Sequence, residues 1–399
     1  MSDSQTILVR ISGPDRPGIT ARLMAVLADV DAEVQDVEQV VVRRRLSLAL
    51  IIAVPSGQDV LKELLLFGWE QRVEVEFEVV ESLPTPSVDR HAVTVLGSVI
   101  TPGDLAAVAS AIADAGGNID RIVRLSRYPV ISYELVVGGC DGAQLRSNLV
   151  TVAAERPIDV AIQRDGFSRR ALRLVVLDVD STLIQNEVID LLAAEAGCEE
   201  AVGAITERAM GGELEFEEAL RQRVKLLAGL PSSTLDRVAA QVELTPGART
   251  FVRTLRRVGF RIGLISGGFT IFTDRLRDQL GIDHAYANQL GIEDGHLTGE
   301  VVGPVVDRAR KAQLLGQIAA AEGVQLSQTV AVGDGANDLD MLSAAGLGIA
   351  FNAKPMVRER ADTSVSVPYL DALLFVLGIT REEVEAADAA DGIEPTSRS

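Results

Sequence analysis

The chain has 399 residues, a formal net charge of −19, 47% hydrophobic residues and only 4% aromatic residues. That length can bury sizeable cores and suggests two or three domains, while the acidic balance argues against a nucleic-acid surface, which needs clustered Lys and Arg. No apolar stretch nears the ~18 residues of a spanning helix, and Met1 to Thr6 lack the basic and apolar regions of a secretion signal, so a cytoplasmic protein with no membrane partner is expected. Cys140 and Cys198 have neither metal spacing nor the pattern of a disulfide framework.

Residues 1 to about 165 contain an internal repeat. Pro17-Gly18 and the amphipathic stretch after it recur at Pro102-Gly103, and the same offset of 85 carries Ser47 to Ser132, Leu50 to Leu135 and Gly57 to Gly142. In the first copy the periodicity predicts strand 6–12, helix 18–29, strands 33–43 and 46–54 as a hairpin around Arg43-Arg44-Arg45, helix 58–68 and strand 72–80. Leu83 to Ser87, with Pro84 and Pro86, reads as a stiff linker. Arg164 to Arg170 reads as the junction to a third domain.

The β-α-β-β-α-β order is the ferredoxin-like arrangement. With the turn Asp15-Arg16-Pro17-Gly18 it resembles the ACT module, whose members commonly bind an amino acid at an interface between modules. The resemblance implies a regulatory ligand site using Asp15 and Gly18 in the first copy and Gly103 and Asn118 in the second. The second copy departs from the acidic turn, with Ile100 and Thr101, and the first has Glu33 where the second has Asn118. These residues also suit ordinary tight turns.

From about 171 the pattern changes to an α/β one. The run Leu174 to Leu177 reads as a buried parallel strand ending in Asp178 and Asp180, where ligands gather in open α/β sheets. A helical insertion at about 186–245 reads as a cap. Phe260 to Ser266 is a second strand, with Gly267 and Gly268 opening a helix, and a hydroxyl followed by free N–H groups suits an anion. A hairpin over 287–301 turns at Asp294-Gly295. Lys311 lies in a helical stretch, Thr329 to Gly333 is a third strand leading to Asp334, Asn337 and Asp338, and 369–377 is a final helix. The tail beyond about 385 is expected to fray.

The ordered set Asp178-x-Asp180-x-Thr182, Ser266, Lys311 and Gly333-Asp334-Gly335-x-Asn337-Asp338 resembles the haloacid dehalogenase-like phosphohydrolases. The expected fold is therefore a haloacid dehalogenase-like Rossmannoid parallel sheet with a helical cap, preceded by two ferredoxin-like ACT-like domains. The expected domains are 1–85 and 86–168 for the ACT-like pair, 169–385 for the phosphatase domain and 386–399 for a flexible tail. The resemblance implies that Asp178 attacks phosphorus to form an aspartyl-phosphate, and that Asp180 protonates the leaving alkoxide and later deprotonates the attacking water. It implies a Mg²⁺ held by the Asp178 carboxylate, the Asp180 carbonyl and Asp334, with Asp338 acting from behind them. Ser266, the Gly267 N–H and Lys311 hold the phosphoryl oxygens, and Asn337 orients the phosphate or Lys311. Taken alone, Lys311 reads as a solvated helix residue; its place in the ordered set reverses that.

The cap segment Phe216 to Leu230 resembles that of phosphoserine phosphatases. An Arg fork suits a carboxylate and a Glu an ammonium, so Arg223 and Glu187 are expected to read the amino-acid end of O-phospho-L-serine, with Met210 and Phe216 excluding water. Singly, Glu187 fits a helix-start charge, Arg223 a surface ion pair, and Met210 and Phe216 a core. The expected protein is a Mg²⁺-dependent phosphatase for O-phospho-L-serine, with L-serine as effector at the ACT-like modules and a homodimer through them. Two alternatives stay open: a phosphatase or phosphotransferase for another small phosphorylated metabolite, and an amino-acid sensor with a vestigial phosphatase domain.

Overall fold

The computed structural model describes residues 4–55, 59–80 and 90–393, so the linker Leu83 to Ser87, Gly57 and the last six residues lie outside the described part. Among the described residues no helix is long and apolar enough to cross a membrane. The chain divides into two compact units, Met1–Pro86 and Ser87–Ser399.

In the first unit β1 (Ser4–Pro14), a helix Ile19–Asp29, β2 (Glu33–Val42), β3 (Arg45–Pro55), a helix Val60–Gln71 and β4 (Glu74–Val79) follow the expected order. The sheet order is β2-β3-β1-β4, all antiparallel. Alternation explains the packing: Ile7, Val9 and Ile11 on β1 and Leu48, Leu50 and Ile52 on β3 face Leu23, Leu27, Leu64 and Phe67 of the helices. Gly18, at φ 93°, starts the first helix in a left-handed conformation open to glycine.

The second unit opens with the same module: β5 (Arg90–Gly97), a helix Pro102–Asp114, β6 (Asn118–Ser126), β7 (Ile131–Gly138), a helix Gly142–Glu155 and β8 (Asp159–Arg164), in sheet order β6-β7-β5-β8. Here Thr101 and Asp104 form a reciprocal capping box, which replaces the glycine start of the first copy. Val93 and Val95 face the module's own helices, whereas Leu96, Leu125 and Ala161 join the apolar cluster of the following domain. Polar contacts fix that seam: Ser366 N–H donates to Asp159 Oδ2 at 2.7 Å, Gln163 Nε2 donates to the Val376 carbonyl at 2.6 Å, and Arg169 pairs with Glu134.

The C-terminal domain is built on a seven-stranded sheet ordered β12-β11-β10-β9-β13-β14-β15. Its strands are β9 (Leu174–Leu177), β10 (Arg261–Phe269), β11 (His284–Glu293), β12 (His296–Val302), β13 (Thr329–Gly333), β14 (Leu347–Phe351) and β15 (Thr363–Val365), all parallel except the hairpin partner β12. All four β9 residues are fully buried because helices cover both faces: Leu174 and Val176 pack towards Leu314 and Ile318, Val175 and Leu177 towards Phe251 and Phe375. The chain passes from β9 to β10 on one side and later to β13 on the other, so a crevice opens at the carboxyl end of β9. Four helices between β9 and β10, Val188–Ala196, Glu199–Met210, Phe216–Lys225 and Ser233–Gln241, form the cap.

Two expectations are corrected. The stretch 369–377 is a short turn, Leu370–Ala372, followed by the helix Leu373–Val376, and is not the last helix. A further helix, Arg381–Ala390, takes in the start of the tail that was expected to fray beyond about 385. Thr380 and Glu383 cap it reciprocally, and the acid Asp388 is drawn into the fold by Arg253 and Arg257. A third correction is local: Gly267 and Gly268 belong to the end of β10, and the helix begins at Thr270.

Candidate active site

Asp178 follows the last residue of β9, and its N–H donates to the Val332 carbonyl at 2.9 Å, tying the ends of β9 and β13 together. One carboxylate oxygen, Oδ1, accepts from the Val179 N–H and from Lys311 Nζ, each at 2.8 Å. Beyond it the chain kinks over Val179–Leu183, with Ser181 at φ 56°. This kink turns Asp180 back into the crevice, where Oδ1 accepts from Val188 N–H at 2.9 Å and Oδ2 accepts from Ser266 Oγ at 3.1 Å.

The pairing of β10 with β11 slips between Ile265 and Phe269, which takes Ser266, Gly267 and Gly268 out of the regular ladder. The Gly268 N–H donates to Ser266 Oγ at 2.8 Å, and a Cβ on Gly268 would lie 2.6 Å from Asp180 Oδ2, so glycine is required for the approach. Asn288, fully buried, donates to the Gly267 carbonyl and accepts from the Val306 N–H, both at 2.8 Å. It fixes the loop's outer side and leaves its inner side to the cleft. Sequence reasoning missed Asn288, which was expected at the start of the hairpin over 287–301 and lies in the middle of β11.

Lys311 projects from the helix Arg308–Ala321 and is 0% exposed, its ammonium bridging Asp178 Oδ1 and Asp338 Oδ1 at 2.8 and 2.7 Å. Burial works against its charge, but the two carboxylates outweigh burial and raise its pKa. Asp338 Oδ2 also accepts from the Gly335 N–H at 3.0 Å, so Asp338 anchors both Lys311 and the loop that carries Asp334. Thr182, the last residue of the first motif, donates to Asp334 at 3.3 Å, and its carbonyl accepts from the hydroxyl of Thr245 at 2.7 Å, a further residue that sequence reasoning did not single out.

Oxygens of Asp178, Asp334 and Asp338 lie within 4.8 Å of one another. Burial, then the charge of Asp338, raises Asp178 well above the usual carboxylate range; the same causes push Asp334 up to about 6. Burial likewise raises Asp180. One ammonium cannot neutralise this many buried carboxylates, and the all-oxygen donor set suits a hard divalent cation.

A pH dependence follows for the metal-free protein. An acid whose folded-state pKa lies above its unfolded value binds more protons when folded, so stability is lost as pH rises through the window between the two values. For Asp334 the window runs from 3.8 to about 6; the whole shift corresponds to roughly 3 kcal/mol, of which about 1 kcal/mol is lost above pH 5.5. Metal-free protein should therefore melt at a lower temperature at pH 8 than at pH 5.5, with a smaller difference in Asp334→Asn. A divalent cation should stabilise more at pH 8. Equal slopes in the two proteins would remove Asp334 as the source.

The cap closes a cleft of about 540 Å³ over this floor. Phe216 and Arg223, seven residues apart on the helix Phe216–Lys225, share the face turned into it. A Cβ on Gly267 would lie 3.1 Å from Phe216 Cζ and 3.8 Å from Asn337 Nδ2, which brings both residues to the anion loop. Arg223 is held by the Ala219 carbonyl and Thr206 Oγ1, each at 3.4 Å. Glu187 accepts from Ser181 Oγ at 2.7 Å; desolvation by the cleft walls and then the charge of Asp180 push it up to about 7, although the residue remains open to the cleft solvent. Met210 lines the mouth and is 65% exposed, so it does not seal the cleft in this state.

Of the ten residues expected at the catalytic and substrate sites, eight line one cleft, and Ser266 and Lys311, both fully buried, lie directly beneath it against Asp180 and Asp178. The regulatory candidates do not converge within a module. Asp15 and Gly18 share one turn, but Gly103 lies in the first turn of the helix Pro102–Asp114 and Asn118 beyond its far end, about 20 Å along the axis.

A haloacid dehalogenase-like hydrolase domain is matched over residues 175–343, and ACT domains over 5–78 and 89–163. The chain is 54% identical over 391 residues to a phosphoserine phosphatase of Streptomyces coelicolor, covering 97% of this chain and 95% of that protein. It is 50% identical over 396 residues to the phosphoserine phosphatase SerB2 of Mycobacterium tuberculosis, covering 97% and 96%. Among solved structures it is similar to a probable phosphoserine phosphatase of Vibrio cholerae, with 34% identity, a TM-score of 0.56 and coverage of 75% of this chain and 88% of that one.

Proposed function

The chain belongs to the phosphoserine phosphatase family of haloacid dehalogenase-like hydrolases, and we propose that it hydrolyses O-phospho-L-serine to L-serine and phosphate through an aspartyl-phosphate on Asp178, with Mg²⁺ as cofactor. The observation that carries this reading is the meeting, in one cleft, of a phosphate floor with an arginine and a glutamate 36 residues apart in sequence. The first set suits the phosphoryl group, the second the carboxylate and ammonium of an amino acid.

A carboxylate oxygen of Asp178 attacks phosphorus and the bond to the serine oxygen breaks. Asp180, whose burial favours the protonated form, gives its proton to the departing alkoxide and then takes one from the water that attacks the aspartyl-phosphate, releasing phosphate. Seating the phosphate requires the Ser266 hydroxyl to turn from Asp180 to a phosphoryl oxygen, which also frees Asp180 for proton transfer. Gly267 N–H and Asn337 hold further phosphoryl oxygens, while Lys311 fixes and neutralises Asp178. The Asp178 carboxylate, the Asp180 carbonyl and Asp334 would hold the Mg²⁺, which would supply neutralisation of the crowded negative charge.

The assay is phosphate release from O-phospho-L-serine, phosphothreonine and a phosphomonoester without a carboxylate, with Mg²⁺ and with EDTA. Phosphoserine should show the highest kcat/KM, and EDTA should abolish release. Arg223→Ala should lower kcat/KM for phosphoserine on the order of 100-fold, by leaving the carboxylate unpaired, yet change the carboxylate-free ester only a few-fold. Equal losses on both substrates would remove Arg223 from amino-acid recognition.

Feedback by L-serine at the ACT domains, in a cytoplasmic homodimer, is the regulatory part of the proposal. Exposed apolar residues on the first module, among them Val42 at 62% and Val79 at 54%, support pairing between copies. Serine titration followed by activity and by sedimentation tests both; no change in either would end it.

A further inference from the structure

We propose that Lys354 is a capture residue, an ammonium at the mouth of the cleft that takes hold of the incoming phosphate before it reaches the buried floor. The proposal rests on the phosphatase reading above, in which the substrate carries a dianionic phosphate.

The need for such a residue comes from the charges around the entrance. The cleft is lined by Asp178, Asp180, Glu187, Glu215 and Asp334, in a chain of net charge −19. A phosphomonoester thus approaches, outside the floor acids that Lys311 and a bound cation would neutralise, a cleft wall that still carries Glu187 and Glu215. Lys311 cannot help at that stage, because it is 0% exposed and lies beneath the floor. Three other cations line the cleft, Arg223, Arg308 and Lys354. Arg223 sits in the cap wall, bonded to Ala219 and Thr206 and partly desolvated. Arg308 is engaged by the Asp340 carboxylate, with Nε at 2.7 Å.

Lys354 differs from both. It is exposed, and among the described residues no carboxylate lies within ion-pair distance of its ammonium. Its polar contact is with the thioether of Met210, Nζ to Sδ at 3.7 Å, across the mouth from core to cap. A thioether is a weak acceptor, so exchanging it for a phosphate oxygen gains a charge-assisted hydrogen bond.

The backbone places this ammonium well. Lys354 caps the short helix Pro355–Arg358, and its carbonyl accepts from the N–H groups of Val357 at 2.9 Å and Arg358 at 3.1 Å. Pro355 fixes the first helical position and Val357 is fully buried, which pins the stem while the head stays free. Met356 and Val357 line the cleft beside it. A fixed base with an exposed, uncompensated cation is suited to raising local substrate concentration, an effect that is worth about 10- to 1,000-fold in association and is screened by salt.

The test is Lys354→Met, which keeps the stem and an apolar contact to Met210 but removes the charge. At low ionic strength and fixed Mg²⁺, kcat/KM for O-phospho-L-serine should fall roughly tenfold with kcat within about twofold. Added NaCl should lower the wild-type kcat/KM steeply and the variant's little, until the two converge near 0.5 M, as expected of a screened charge. Lys354→Arg should recover most of the loss and of the salt dependence. A variant with wild-type kcat/KM and wild-type salt dependence overturns the proposal. So does a loss confined to kcat with the salt dependence intact, which would make Lys354 a latch between core and cap. If the wild type releases no phosphate from any phosphomonoester, the phosphatase reading falls and this inference with it.

Discussion

Asp178→Asn should lower phosphate release from O-phospho-L-serine by on the order of 10⁴- to 10⁶-fold, the scale on which loss of a catalytic nucleophile is felt. The amide has nearly the shape of the carboxylate and can still accept from the Val179 N–H and from Lys311, both 2.8 Å away in the native site. What it lacks is the anionic oxygen that, in the proposed reaction, attacks phosphorus. The substitution also removes one charge from a group of buried acids whose pKa values are pushed upwards by their own crowding. Loss of activity should therefore come with unchanged or higher thermal stability at pH 8 without metal. Release above about one hundredth of wild type would mean that water, not Asp178, attacks, and an unfolded variant would mean that the acid is structural.

Lys311→Met has the second largest expected effect, and it differs in kind because both stability and activity should fall. The ammonium is fully buried between Asp178 and Asp338, and truncating one partner of a buried charge cluster costs about 3–5 kcal/mol because the remaining charges are left unpaired. Activity should drop about 1,000-fold, as when a preorganised electrostatic group is lost from a site. Adding Asp338→Asn should restore part of the stability and none of the activity, a non-additivity expected of groups in one network. Lys311→Arg should not rescue, since the wider guanidinium has no room where the ammonium is 0% exposed. Denaturant unfolding of the single and double variants measures the first effect and phosphate release the second.

The floor of the site was legible in the sequence for a physical reason. Strands buried on both faces leave little freedom in composition, so Leu174 to Leu177 and Thr329 to Gly333 announce their ends by the acids that follow. The cap residues were legible only jointly, since Glu187, Arg223, Met210 and Phe216 each have an ordinary use. Asn288 and Thr245 escaped because their work is done on backbone groups brought near by folding, and nothing local marks that. Lys354 escaped because it follows the last motif and looks like any surface lysine until its cleft is assembled. The tail was misread for the opposite reason: its acids suggested solvent, and the arginines that bury Asp388 lie more than 130 residues earlier. The capping pair Thr380 and Glu383 was the signal that could have corrected it.

The duplicated modules, alike in their strand order, are unequal in cooperativity. The first has a self-contained core running from Ile7 to Phe67. The second gives Leu96, Leu125, Val130 and Ala161 to the same apolar cluster as Val175, Leu264 and Phe375. Heating should therefore divide the protein between the two copies rather than after them: residues 4–80 melt as one block, and 90–393 as another in which module and sheet are lost together. Cutting the chain at the start of β9 would bare an apolar seam that the second module covers.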